Sequence, residues 1–136
     1  MAYAIKTEIC DPKAMTFAFP MQKTMYGGKH IAPGDVVFVF ASENEGGQGL
    51  VGRAVVTSAE PVPRKPGVAR QTPRVSIAVR CVASARQPLG RNELKRFKDW
   101  KDGKPETELN FKIYRQATNK IVGLSEATAA FLDGFF

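Results

Sequence analysis

The stretch DVVFVFA, residues 35–41, constrains the fold more than any other part of the chain. Valine and phenylalanine are strand formers, and here no polar residue alternates with them. A strand of that kind needs cover on both faces. It runs straight into SENEGGQG (42–49), whose glycines let the chain turn tightly. LVGRAVVTSAEPV (50–62) then reads as the partner strand, with Gly52 marking a bulge or a bend. A small barrel meets these demands. Apolar side chains fill its interior, and the glycine-rich loop folds at its mouth.

The remaining elements fit that plan. AYAIKTE (2–8) alternates and reads as a first strand. Residues 10–35 are punctuated by Pro12, Pro20, Gly27, Gly28, Pro33 and Gly34, which leaves room for at most a short helix. A connection of that length is expected to be functional. PVPRKPGVARQTP (61–73) reads as an exposed loop, and RVSIAVRCVA (74–83) as a half-exposed strand with Val75, Ile77 and Val79 inward. NELKRFKDWKDG (92–103) reads as a short helix with Asn92 as N-cap and Gly103 at its end. Residues 108–124 are expected to hold one or two strands, and SEATAAFLDGFF (125–136) a closing helix capped by Ser125. The expected architecture is one α+β domain over residues 1–136. It is a small mixed, mostly antiparallel barrel with short flanking helices.

The net charge of +7 is unevenly placed. Residues 61–104 carry twelve Lys and Arg against three acids, whereas the rest of the chain carries eight bases and ten acids. A local basic field attracts polyanions, of which nucleic acid is the commonest, although a basic segment also serves solubility alone. Arg64, Lys65, Arg70, Arg74, Lys95, Arg96, Lys98 and Lys101 are the candidate phosphate ligands. Cys10 and Cys81 form no CxxC pair and His30 is the single histidine, so no Cys/His zinc site is expected. MAYAIKTEICDPK shows no secretory pattern and no apolar run approaches a membrane span. A cytoplasmic location without membrane contact is expected.

No catalytic set stands out. There is no G-x-S-x-G elbow, Walker A loop or HExxH motif. The aromatics are more informative. Tyr26, Trp100 and Tyr114 each have a Lys or Arg within three residues, and flat rings beside cations suit base stacking and phosphate contact. The bland reading caps the core edge with the same rings. In NFKIYRQATNK (110–120) an extended chain would put Phe111, Ile113 and Arg115 on one side and Lys112, Tyr114 and Gln116 on the other. Asn110, Gln116 and Asn119 carry amides able to pair with a base edge.

The chain also resembles a known group. AIKTE (4–8) is similar to the Lys-Ser/Thr-Glu opening strand of EVE domains. IAPGDVVFVFASE (31–43) resembles the second-strand signature shared by the EVE, ASCH and YTH groups, and GLVGRAVVTSAEPV (49–62) resembles their next strand. Together these cover about the first 60 residues. The resemblance implies a PUA-like barrel with a rim pocket for a single nucleobase, often a modified one. It places Lys6 and Thr7 at the pocket floor, Ser42 at the end of the second strand and Tyr26 in the loop that carries pocket aromatics. The Trp-Asp-Gly-Val-Arg-Asn-Tyr-Gln stretch typical of EVE domains is replaced here by MQKTMYGGKHIAPGD (21–35).

The sequence therefore points to a non-catalytic binding module for RNA, DNA or a nucleotide, with no cofactor and no metal. Its base pocket is expected near Lys6, Thr7, Tyr26, Ser42, Trp100, Asn110, Tyr114 and Arg115, and a separately encoded effector protein is a candidate partner. The alternative is an ASCH-like hydrolase of a modified nucleoside, built on Lys6, Thr7 and Glu8 with help from Lys29, Glu43 or Glu45. In a strand, however, Thr7 points away from Lys6 and Glu8. A third reading is a protein-interaction domain.

Overall fold

Both faces of the 35–41 stretch are covered, as its composition demands. The computed structural model describes residues 1–115 and 119–136. Six strands close into a barrel: β1 (Ala2–Thr7), β2 (Thr16–Met25), β3 (Val36–Ala41), β4 (Gly49–Pro61), β5 (Arg74–Ser84) and β6 (Lys120–Leu124). Their order around the barrel is β1-β3-β4-β5-β2-β6. The β1–β3 and β2–β6 pairs are parallel and the other four antiparallel. Val37 and Val39 of β3 join Tyr3, Ile5, Val56, Ile77, Val79 and Ile121 in the barrel interior. Phe38 and Phe40 point outward into a second core with Leu50, Leu89, Leu94, Leu109, Ile113 and Leu132. Three short helices roof that outer core: α1 (Arg91–Leu94), α2 (Pro105–Leu109) and α3 (Glu126–Asp133). The register of β3 against β4 slips beside Gly52, which is the bulge the sequence marks.

Three expectations are corrected. Residues 16–25 form a strand instead of an irregular connection. Pro20 does not end it, because β2 bulges there. Pairing to β5 breaks between Phe19 and Gln22, and Met21 takes a left-handed backbone (φ 53). The helix expected over 92–103 spans only Arg91–Leu94. Its N-cap is Gly90 in place of Asn92, because the Glu93 carboxylate reaches back to accept from the Gly90 N–H at 2.7 Å. Residues 110–115 are not extended. They continue α2 as a wide π-helical segment, Asn110–Arg115. Pro105 starts α2, buried Leu109 and Ile113 carry a helical spacing inward, and the Asn110 side-chain N–H₂ donates to the Phe97 carbonyl.

Helix α3 begins at Ser125 as expected, with Ser125 Oγ accepting from the Thr128 N–H. Glu108 of α2 ties the two helices together. Its carboxylate accepts from Ser125 N (2.9 Å), Ser125 Oγ (2.6 Å) and Thr128 Oγ1 (2.9 Å), and pairs with Lys112 at 3.2 Å. Burial alone would raise its pKa. The Ser125 and Thr128 hydrogen bonds and the Lys112 charge outweigh it and hold Glu108 below the ordinary glutamate value. A depressed carboxylate contributes stability above its unfolded pKa of about 4.3 and loses it as pH falls through the lower folded value. Glu108→Gln is therefore expected to cost about 1–3 kcal/mol at neutral pH and to flatten the acid limb of the stability curve. Urea melts between pH 3 and 7 check this, and parallel curves for the two proteins would reject it.

Candidate functional site

The site lies where the parallel strands β1 and β3 end side by side. Lys6 sits opposite Phe40, Thr7 sits opposite Ala41, and the Ser42 N–H donates to the Thr7 carbonyl (2.9 Å), so the ladder extends to Ser42. Strand alternation sends Lys6 to the outer face with Ala4 and Phe40 and turns Thr7 inward. Lys6 is only 5% exposed. Its Nζ lies 4.2 Å from the centre of the Tyr114 ring, delivered by the π-helical segment. The Tyr114 hydroxyl donates to Glu43 (3.0 and 3.2 Å), and the same carboxylate accepts from the Arg91 N–H at 2.7 Å. The Arg91 side chain donates to Asn44 Oδ1 (3.0 Å) and lies 6.0 Å from the Tyr114 ring centre. Gly90 permits the junction, because a Cβ there would stand 2.6 Å from Glu43 Oε2.

Burial, the largest influence, pushes the Lys6 pKa below that of an ordinary lysine. The Glu43 carboxylate opposes the shift and the Arg91 charge adds to it. Burial, then the charge and hydrogen bond of Glu43, hold the Tyr114 phenol far above its usual value. Tyr114 thus keeps its proton and is a fixed hydrogen-bond donor to Glu43. Among the described residues no carboxylate forms an ion pair with Lys6. Ser42 Oγ, in a residue only 1% exposed, has no hydrogen-bond partner among the described residues. A buried hydroxyl in that condition is costly unless a guest supplies a partner, and an ammonium largely withdrawn from water gains from an acceptor brought to it.

The other expected pocket residues are divided. Thr7 Oγ1 donates to Asn119 Oδ1, and the Asn119 N–H donates to the Lys6 carbonyl at 2.9 Å, so Asn119 in its left-handed turn (φ 63) fastens β1 to the start of β6. Asn110 faces the Phe97 carbonyl. Tyr26, Trp100 and Arg115 gather around Phe111 on a different side of the π-helical segment. Phe111 is 5.4 Å from Trp100 and 6.5 Å from Tyr26, ring centre to ring centre, and Arg115 lies 5.0 Å from the Trp100 ring. Gln116 lies outside the described residues. The phosphate candidates also fall into two groups. Arg64, Lys65, Arg70 and Arg74 line one groove, while Lys95, Arg96, Lys98 and Lys101 are exposed on the connection between α1 and α2.

Sequence reasoning underused Glu43 and missed Arg91. An acid directly after a strand-ending Ser42 is a readable signal for the first. No local pattern brings Arg91 to that acid, since 47 residues separate Asn44 from the Arg91 side chain that binds it. Among the described residues no three His, Cys, Asp or Glu side chains come close enough to hold a metal ion, and no helix is long and apolar enough to cross a membrane.

No family model matches the chain, and no curated protein does. Solved structures do match. Human THYN1, in complex with DNA containing 5-methylcytosine, superposes with a TM-score of 0.66 at 18% identity, over 96% of this chain and 94% of that one. The fold is PUA-like. The DUF55 domain of human thymocyte nuclear protein 1 gives 0.65 at 17% identity over 96% and 95% of the two chains. A hypothetical protein from Leishmania major gives 0.61 at 17% identity over 98% and 92%. The barrel architecture expected from the sequence is thus shared with these structures over nearly the whole length.

Proposed function

We propose that this chain is a non-catalytic nucleic-acid-binding module that takes a single base, modified in its preferred target, at the rim formed by Lys6, Ser42, Glu43 and Tyr114. The observations that carry the reading are the buried Ser42 hydroxyl, which has no hydrogen-bond partner among the described residues, and the Lys6 ammonium at the same rim, with which no described carboxylate forms an ion pair. A base edge offers what they lack: carbonyl oxygens and ring nitrogens that accept. Glu43 retains capacity to accept from an exocyclic amine, because a carboxylate has roughly four lone-pair sites. The Trp100–Phe111–Tyr26 cluster with Arg115 adds an aromatic and cationic edge for a neighbouring base. That human THYN1, with the same fold, binds DNA containing 5-methylcytosine supports the choice of ligand class.

The test is fluorescence anisotropy with single-stranded RNA, single-stranded DNA and duplex DNA, each with plain and with methylated bases, at two salt concentrations. Binding is expected in the micromolar range or tighter, weakening steeply with salt and favouring one modified base. Absence of binding to every polymer at about 100 μM protein in low salt would overturn the reading.

A second reading, hydrolysis of a modified nucleoside, has one observation in its favour: the lowered Lys6 pKa suits a lysine for proton transfer. Against it, the Thr7 hydroxyl is engaged with Asn119 on the opposite face of β1. Turnover of acylated nucleosides by the protein alone would bring this reading forward.

A further inference from the structure

The strand register lines up four cations. Lys6 of β1 is opposite Lys120 of β6, Lys120 is opposite Lys23 of β2, and Lys23 is opposite Arg74 of β5. All four point to the outer face, because their neighbours Ile5, Ile121 and Val75 point to the interior. Like charges directly opposite one another in adjacent strands destabilise a sheet. Here three such pairs follow in succession, and among the described residues no carboxylate forms an ion pair with any of the four. Lys120 Nζ rests 3.3 Å from Met25 Sδ, a weak partner. Exposure rises along the row from buried Lys6 through half-buried Lys120 to exposed Lys23 and Arg74.

The row ends in a groove. Lys23, Lys29, Arg64, Lys65, Arg70 and Arg74 line it, no acid does, and its volume is about 710 Å³. The groove has a built shape. Gln71 clamps the 62–73 loop, its amide donating to the Lys65 carbonyl (2.8 Å) and the Val68 carbonyl (3.1 Å) while its oxygen accepts from the Lys65 N–H (2.9 Å). Thr24 Oγ1 donates to the Pro73 carbonyl (2.8 Å), and Arg74 is aimed by its bond to the Met21 carbonyl (2.8 Å).

We infer that the row is a phosphate path: one sugar–phosphate backbone leaves the rim site at Lys6, crosses β6 and β2 over Lys120 and Lys23, and enters the Arg74 groove. The inference rests on the nucleic-acid reading above and adds the direction and footprint of the strand. Neighbouring strands are about 4.8 Å apart, so the row spans about 14 Å, and a single file of cations tracks one backbone. The repulsion among the cations is relieved when phosphates lie between them.

The experiment compares the parent, the Lys23→Gln/Arg74→Gln double variant, the charge-keeping Lys23→Arg/Arg74→Lys variant, and Arg80→Gln, an exposed arginine of β5 outside the row. Each is titrated with a ten-nucleotide single strand across a salt series and with a single nucleoside monophosphate. The Gln pair is expected to weaken the ten-nucleotide strand at least tenfold and to lower the salt slope by roughly 0.7 per cation removed. It should leave the monophosphate unaffected. The charge-keeping pair restores binding, and Arg80→Gln changes nothing. If the Gln pair binds the strand with the parent's affinity and slope, the path is wrong while the module reading stands. If the parent binds no single strand, the path falls, and the module reading falls with it only when duplex DNA is not bound either.

Discussion

Phe40→Ala is expected to cost about 3–5 kcal/mol of stability, the upper range for a single truncation in a core. Phe40 is fully buried in the outer core, where it meets the leucines of the helical roof. It also sits opposite Lys6 in the parallel ladder, so the cavity would open beneath the rim. In a chain of this size that loss corresponds to a fall in melting temperature of about 10–20 °C, readable by calorimetry or denaturant titration. A cost below about 1 kcal/mol would show that the helices do not seal this face of β3.

Lys6→Met is expected to split stability from function. Affinity for single-stranded nucleic acid should drop tenfold or more, while the melting temperature holds or rises. The sign follows from the lowered pKa of Lys6, whose main cause is burial. Between the lowered folded value and the ordinary lysine value of about 10.4, the unfolded chain binds more protons than the folded one, so stability climbs with pH across that window. At neutral pH the full penalty of the buried ammonium is present, and a methionine of similar length removes it. A Met variant that binds as tightly as the parent would remove Lys6 from the site. One that binds weakly but also unfolds would make the lysine structural.

The barrel was legible because β3, β4 and β5 announce themselves. A two-sided apolar run, a partner strand with a bulge glycine and a clean alternation each fit one geometry better than another. Strand β2 was hidden because Pro20 reads locally as a breaker, and only the pairing with β5 shows that a bulge absorbs it. The 110–115 segment was misread because Phe111, Ile113 and Arg115 satisfy an extended spacing as well as a helical one when only six residues are considered. The sequence puts Lys6, Tyr114 and Trp100 in one pocket; the structure keeps Tyr114 with Lys6, whereas Trp100 belongs to the Phe111 cluster. Lys6 and Ser42 were reached through family resemblance. The cationic row could not be reached at all, since it exists only in the register between strands distant in the chain.

The placement of β1 between β3 and β6 also has a consequence in time. A strand that begins at residue 2 is paired on one side by residues 36–41 and on the other by residues 120–124. During synthesis β1 and β2 each keep one bare edge until β6 emerges, and bare edges recruit other chains. Closure is then a single late event that joins the two ends of the chain, the kind of contact that slows folding. Tyr114 lies just ahead of β6 in the chain, so its contact with Lys6 also awaits the late part of synthesis.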